Sequence, residues 1–167
     1  DEGDIILQKK VQILPDDTLG DVYFSKIFSL GVNACVEAVD LIASGNPPRI
    51  IQDELKATYE TWCKKSDSKI NWKKSGQEIY NLIRGCNPQP GAWANIEGNE
   101  YSFYDTSFEL TKNSKFLSGQ IISINKHEIV ISVIGGILKV SRIKSKQGKL
   151  YIKEMDTDVF KVGYVFM

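Results

Sequence analysis

The sequence predicts two unlike parts: an α/β limb over residues 1–62, and a small all-β unit, barrel or sandwich, over residues 63–167. Three observations predict this. A strand-like run leads into a single long, capped helix in the first third of the chain. After residue 91 come six short strand-like runs punctuated by glycine and asparagine. The charge also changes sign between the parts. Residues 1–62 carry five Lys and Arg against eleven Asp and Glu, net −6, and the rest carries sixteen against ten, net +6, within a chain whose formal charge is zero.

Residues 5–13, Ile-Ile-Leu-Gln-Lys-Lys-Val-Gln-Ile, begin as an apolar run and end in alternation, the pattern of a strand. Leu14-Pro15-Asp16-Asp17 reads as a turn. Thr18 is placed to cap a helix, with Asp21 three residues on in the reciprocal capping position. The helix is expected to run to about Ser44, with Val22, Ile27, Leu30, Ala34, Ala38, Leu41 and Ile42 roughly on one face. Gly45 ends it, and Pro47-Pro48 forbid its resumption. One strand and one helix cannot bury that face alone, so partner strands are expected upstream of Asp1.

Residues 46–68 read as a linker, most polar at Lys64-Lys65-Ser66-Asp67-Ser68, where the boundary is expected. Ser75-Gly76-Gln77-Glu78 is a capping box opening a short helix, with Ile79, Leu82 and Ile83 on one face and Gly85 as its stop. Asn87-Pro88-Gln89-Pro90-Gly91 reads as an extended, turning segment. The strand-like runs are 92–96, 100–104, 119–124, 128–134, 137–143 and 149–153, bounded by Gly98, Asn125, Gly135-Gly136 and Gly148.

Composition excludes several classes. No run approaches the ~20 apolar residues of a membrane-spanning helix. Cys35, Cys63 and Cys86 are odd in number and widely spaced, unlike zinc ligands or a disulfide framework. They are expected to be reduced thiols of a cytoplasmic protein, two of them buried. A single histidine, His127, cannot build a multi-histidine metal site; it lies between strands and is expected to be structural or superficial. Trp72, Trp93, Tyr101, Phe103 and Tyr104 are expected to pack in the core. The opening Asp1-Glu2-Gly3-Asp4, without an initiator Met, is expected to lie inside a longer protein.

Six segments, in order, resemble a known family. Asp1-Glu2-Gly3-Asp4-Ile5 resembles the D-x-G-D-I loop and strand of the 10-formyltetrahydrofolate-dependent formyltransferases, and Pro15-Asp16-Asp17-Thr18 resembles the turn that follows it. Ala57-Thr58-Tyr59 resembles that family's linker. Lys69-Ile70-Asn71-Trp72 is similar to the segment leading into its C-terminal domain. Asn81-Leu82-Ile83-Arg84-Gly85 and Pro90-Gly91-Ala92-Trp93 resemble that domain's signature. The resemblance implies that residues 1–62 are the last limb of a Rossmann-like catalytic domain and that residues 63–167 are an OB-like β-barrel.

The resemblance also implies a chemistry. The family uses an Asn, a His and an Asp. Asp1 matches the Asp, whose implied role is to orient and charge-stabilise the His; the Asn and His are expected upstream, so this chain alone is expected to be inactive. Gly3 and Asp4 belong to the folate loop, Gly3 for tight backbone approach or positive φ, Asp4 to hold the loop through backbone N–H groups. No metal is implied. The co-substrate is 10-formyltetrahydrofolate.

The acceptor implied first is the amino group of methionyl initiator tRNA. Lys64, Lys65, Lys73, Lys74, Arg142 and Lys144 are the candidate RNA-binding residues, with Lys69, Lys139, Lys146, Lys149 and Lys153 nearby in sequence, since RNA is held through its phosphates. Glu128, Glu154, Asp156 and Asp158 offset part of this charge. Two alternatives stand beside it. One keeps the donor and changes the acceptor to water, as in a formyltetrahydrofolate hydrolase domain, or to a nucleotide-linked amino sugar. The other is a non-enzymatic OB-like binding module.

Overall fold

The computed structural model describes residues 3–111, 115–146, 148–154 and 159–167. Asp1, Asp156 and Asp158 therefore lie outside the described residues. The chain divides into two compact units, Asp1–Trp62 and Cys63–Met167.

In the first unit a π-helical stretch, Asp21–Ile27, continues directly into helix α1, Phe28–Ala43. Thr18 and Asp21 cap its start reciprocally. The Asp21 N–H donates to Thr18 Oγ1 at 3.1 Å, and the Thr18 N–H donates to Asp21 Oδ2 at 2.9 Å. The Thr18 hydrogen bonds, side chain first, hold the Asp21 carboxyl below the usual carboxylate range. Ser44 and Gly45 close the far end, with Gly45 at φ +86°. The strand expected over residues 5–13 does not form. Only Ile5 pairs, with Ile50 in an isolated antiparallel bridge. A strand exists through its ladder, and the unit supplies one partner residue. No side chain of either helical stretch is buried; Phe28, Val32, Val36, Val39 and Ile42 are exposed.

Among the described residues the second unit is built on α2, Gly76–Gly85, and six strands: β1 Ala92–Ile96, β2 Asn99–Leu110, β3 Ile121–Ile124, β4 Ile129–Val133, β5 Gly136–Ser145 and β6 Gly148–Tyr151. The strands form one antiparallel sheet in the order β1-β2-β5-β4-β3, with β6 on β5 beyond the end of β4. The OB-like barrel expected here is not closed, because β1 and β3 do not pair. Residues 163–167 take up the edge hydrogen bonds that closure would need. Asn95 and Met167 exchange two main-chain bonds, at 2.8 and 2.7 Å, and Gly119 and Ile121 bond Tyr164, Phe166 and Gly163.

The capping box of α2 is formed in both directions, Ser75 Oγ accepting from the Glu78 N–H and Glu78 from the Ser75 N–H. Three Ser75 and Lys74 hydrogen bonds, the Ser75 hydroxyl first, pull the Glu78 carboxyl down to about 2. Ile79, Tyr80 and Ile83 are buried, with Tyr80 stacked on Phe108 of β2. Gly76 is forced by close approach: a Cβ there would stand 2.4 Å from the Phe108 ring and 2.5 Å from Val133. We expect Ser75→Ala to cost about 1 kcal/mol in urea unfolding. A carboxyl held below its unfolded value stabilises the fold above the unfolded pKa and loses that contribution as pH falls. The stability that Glu78 adds should therefore fade between about 4.5 and about 2. Unfolding at pH values across that window should show a shallower acid loss in Ser75→Ala than in the parent; parallel curves would contradict the assignment.

The core lies between α2 and one face of the sheet. Trp72 (8 % exposed), Tyr80, Tyr101, Phe103, Phe160 and Phe166 form its aromatic part, with all five residues of β4 buried. Of the cysteines only Cys86 is buried; Cys35 and Cys63 are exposed, against the expectation of two buried thiols.

Candidate functional site

Alternation on β1 buries Ala92, Ala94 and Ile96 and turns Trp93 to the opposite face. Trp93 is thus half-exposed and outside the core, unlike Trp72, which occupies the core as expected. Register then decides what shares that outer face. Trp93 pairs with Ser102, Ser102 with Lys144, and Lys144 with Lys149; one row along, Tyr104 pairs with Arg142 and Arg142 with Tyr151.

The two rows form an aromatic layer under cations. The Lys65 and Lys69 ammonium groups lie 5.2 and 5.4 Å from the Trp93 ring centroid, and the Trp93 indole N–H donates to the Lys65 carbonyl at 2.8 Å. Lys149 Nζ lies 3.5 Å from the Tyr104 centroid. Arg142 spans Tyr104 and Tyr151, at 5.8 and 5.4 Å, and donates to Asp105 Oδ1 at 2.8 Å. Its Nε is buried and has no partner among the described residues. Burial first, then the Arg142 charge, lowers the Lys149 pKa, and burial raises that of Tyr104. A cleft of about 460 Å³ opens between Lys65, Trp93, Ser102, Lys144 and Lys146. Among the described residues, two carboxylates pair with this positive charge: Glu100, 2.7 Å from Lys65 Nζ, and Asp105.

Among the candidate RNA-binding residues, the structure brings Lys65, Arg142 and Lys144 together and adds Lys69, Lys146 and Lys149. Lys64 is exposed in the turn just before them, its N–H bonded to Asp67. Lys73 and Lys74 stand apart. They precede Ser75, which bridges Ile134 at the far end of β5 from Lys144, and Lys74 is paired with Glu78 at 3.0 Å. Trp93 and Tyr104 were expected in the core; the strict alternation of Ala-Trp-Ala-Asn-Ile was the signal that Trp93 faces outward. Tyr104 is 1 % exposed, yet it lies on the cationic face rather than in the main core.

In the first unit Gly3 and Asp4 sit beside residues 49–52. The Asp4 carboxylate pairs with Arg49 Nε at 2.8 Å. The Gly3 carbonyl accepts from Gln52 Nε2 at 2.7 Å. Its φ lies outside the left-handed region, and among the described residues a Cβ there would meet nothing within 4 Å. His127 is exposed in the β3–β4 turn. Among the described residues no three His, Cys, Asp or Glu side chains gather as metal ligands, and no helix is long and apolar enough to cross a membrane.

The profile of the family described as "Formyl transferase, C-terminal domain" matches residues 63–157, more than half of the chain. The chain belongs to the formyltransferase family. Within this family it is 44 % identical over 124 residues to a cytosolic 10-formyltetrahydrofolate dehydrogenase from Xenopus laevis, covering 74 % of this chain and 14 % of that protein. It is 33 % identical over 165 residues to a methionyl-tRNA formyltransferase from Moorella thermoacetica, covering 98 % of this chain and 51 % of the relative. It thus spans about half, or much less, of these relatives' lengths. A crystal structure of HypX from Aquifex aeolicus with tetrahydrofolic acid shares the fold at TM-score 0.72 and 15 % identity, over 90 % of this chain and 27 % of that one.

Proposed function

We propose that this formyltransferase-family chain is the C-terminal part of an enzyme that takes a formyl group from 10-formyltetrahydrofolate and delivers it to the amino group of methionyl initiator tRNA. The observation that carries the acceptor is the cationic outer face of the second unit, where Lys65, Lys69, Arg142, Lys144, Lys146 and Lys149 overlie or flank Trp93, Tyr104 and Tyr151. Cations on such a surface release the counterions of a polyanion, and the exposed Tyr151 and half-exposed Trp93 add stacking area for unpaired bases. A small neutral acceptor needs neither. Residues 1–62 are assigned to the catalytic domain, with Asp1 orienting the catalytic His and Gly3 and Asp4 beside the folate; the exposed apolar residues of α1 support a sheet that covers them in the full enzyme. A cytoplasmic setting fits its three free thiols.

The test uses the full-length enzyme with 10-formyltetrahydrofolate and methionyl initiator tRNA. Formyl-methionyl-tRNA should appear, and tRNA binding should weaken steeply with salt. Replacing Lys65, Arg142 and Lys144 together by Ala should raise KM for tRNA and reduce the slope of log affinity against log salt by about two to three units. An unchanged slope would remove this face from RNA binding. A second reading has water as the acceptor, and the 44 % identity to the dehydrogenase favours it. Under that reading tetrahydrofolate and formate accumulate at full rate without tRNA. An amino-sugar acceptor would instead yield a formylated nucleotide sugar.

A further inference from the structure

The cationic cleft contains an acid that phosphate binding does not need. Among the described residues that line it, Lys65, Lys144 and Lys146 are cations and Glu100 is the one carboxylate. A negative charge there costs affinity if only phosphates are held. Its position gives it another use. Glu100 lies on β2 two residues before Ser102, and Ser102 pairs with Trp93. Glu100 is thus the diagonal neighbour of Trp93 on the outer face, about 7–8 Å away. Its side chain is 37 % exposed, and its carboxylate pairs with the Lys65 ammonium at 2.7 Å. Lys144 occupies the same row as Trp93, two strand spacings or about 10 Å across the sheet. A ring platform, an acceptor beside a donor, and two further cations therefore surround about 460 Å³.

We propose that this cleft holds an unpaired guanosine of the bound RNA, an assignment that rests on the reading of this face as an RNA surface. The base lies on the Trp93 ring, its phosphate meets Lys144 and Lys146, and Glu100 reads its edge. An ammonium over a half-exposed ring is held less strongly than a stacked base, so the base displaces Lys65 and Lys69 from the ring. Lys65 stays beside Glu100. An ionised carboxylate only accepts, and it does so through two oxygens side by side. Of the four RNA bases, guanine alone presents two adjacent donors on its Watson–Crick edge, N1–H and the N2 amino group, and these fit both oxygens at once. Its O6 stands next in line and accepts from Lys65. Cytosine and adenine offer one amino group beside a ring-nitrogen acceptor, which leaves one carboxylate oxygen without a donor. Uracil offers one N–H between two carbonyls, so the second carboxylate oxygen would face a carbonyl oxygen. Trp93 supplies affinity that any base can draw on, and Glu100 sets which base is kept.

The test uses the full-length enzyme and labelled single-stranded uridine pentamers that carry guanosine, inosine or uridine at the centre, with affinity read by fluorescence anisotropy. The guanosine pentamer should bind about tenfold more tightly than the uridine one, the discrimination expected of one bidentate contact. Inosine, which lacks only the N2 amino group, should fall between them. Glu100→Gln, an exposed change of the same size, should erase the guanosine-to-uridine ratio. The ratio is the readout because removing a negative charge strengthens the binding of every RNA alike. Trp93→Leu should weaken all three pentamers together. Equal affinity for the guanosine and uridine pentamers in wild type would overturn the proposal, as would a preference that survives Glu100→Gln. So would free guanosine monophosphate that binds more tightly than the guanosine pentamer, since the cleft would then serve a free nucleotide. The choice of tRNA as acceptor stands or falls separately, on formylation and on the salt slope, neither of which enters the ratio.

Discussion

Gly91→Ala should lower the stability of the second unit by about 2–4 kcal/mol, from left-handed strain plus overpacking. Gly91 sits at φ +86°, and an added Cβ would stand 2.3 Å from the Tyr104 hydroxyl, 3.0 Å from Cζ and 3.2 Å from Ser102 Cβ. Tyr104 cannot yield easily. It is 1 % exposed, and Lys149 covers its ring face at 3.5 Å. Nor can the backbone shift freely, because the Gly91 N–H is bonded to the Cys86 carbonyl. Urea unfolding of Gly91→Ala, Tyr104→Phe and the double variant separates the two contributions. The hydroxyl clash should be relieved in the double variant and the φ strain should remain, so the double variant recovers part of the loss. A single-variant loss below about 0.5 kcal/mol, the range of neutral surface changes, would contradict the geometry.

Asp1→Asn in the full-length enzyme should cut kcat by roughly 10²–10⁴ while folate affinity stays within about tenfold. The proposed role of Asp1 is to orient a His and balance the charge that develops as the amine attacks the formyl carbon. Such an interaction is strongest in the transition state, so its loss falls on turnover rather than on binding. Asn keeps the side chain's shape and removes its charge. If Asp1 merely ends a loop, the substitution is nearly silent; a kcat within about threefold of wild type would take Asp1 out of the mechanism. Steady-state kinetics on both substrates makes the distinction.

Features with local causes were legible in the sequence. Ser75 and Glu78 are three residues apart, so their capping box needs nothing but one helical turn, and the same holds for Thr18 and Asp21. Strand-like runs bounded by glycine or asparagine marked β1, β4 and β5 to within a residue or two. The run at 100–104 was legible only as the core of a strand that continues to Leu110, because the later residues are held by pairing with β5 and not by their own pattern. Residues 5–13 have the pattern of a strand without a ladder, and so remain without one.

The sequence by itself determined the helix caps, the Gly-punctuated strands, the break in character near residue 63 and the family, because each is carried by residues close together in the chain or by motifs in a given order. Only the tertiary structure decided that the sheet stays open. That outcome depends on residues 163–167 reaching Asn95 and Gly119, contacts separated by more than forty residues. Tertiary structure alone also separated Trp72 from Trp93, sending the first into the core and the second beneath Lys65 and Lys69. Local preferences are summed along the chain, but a strand register assigns every side chain on it to one face or the other at once, and that register is chosen by the whole of the packed core.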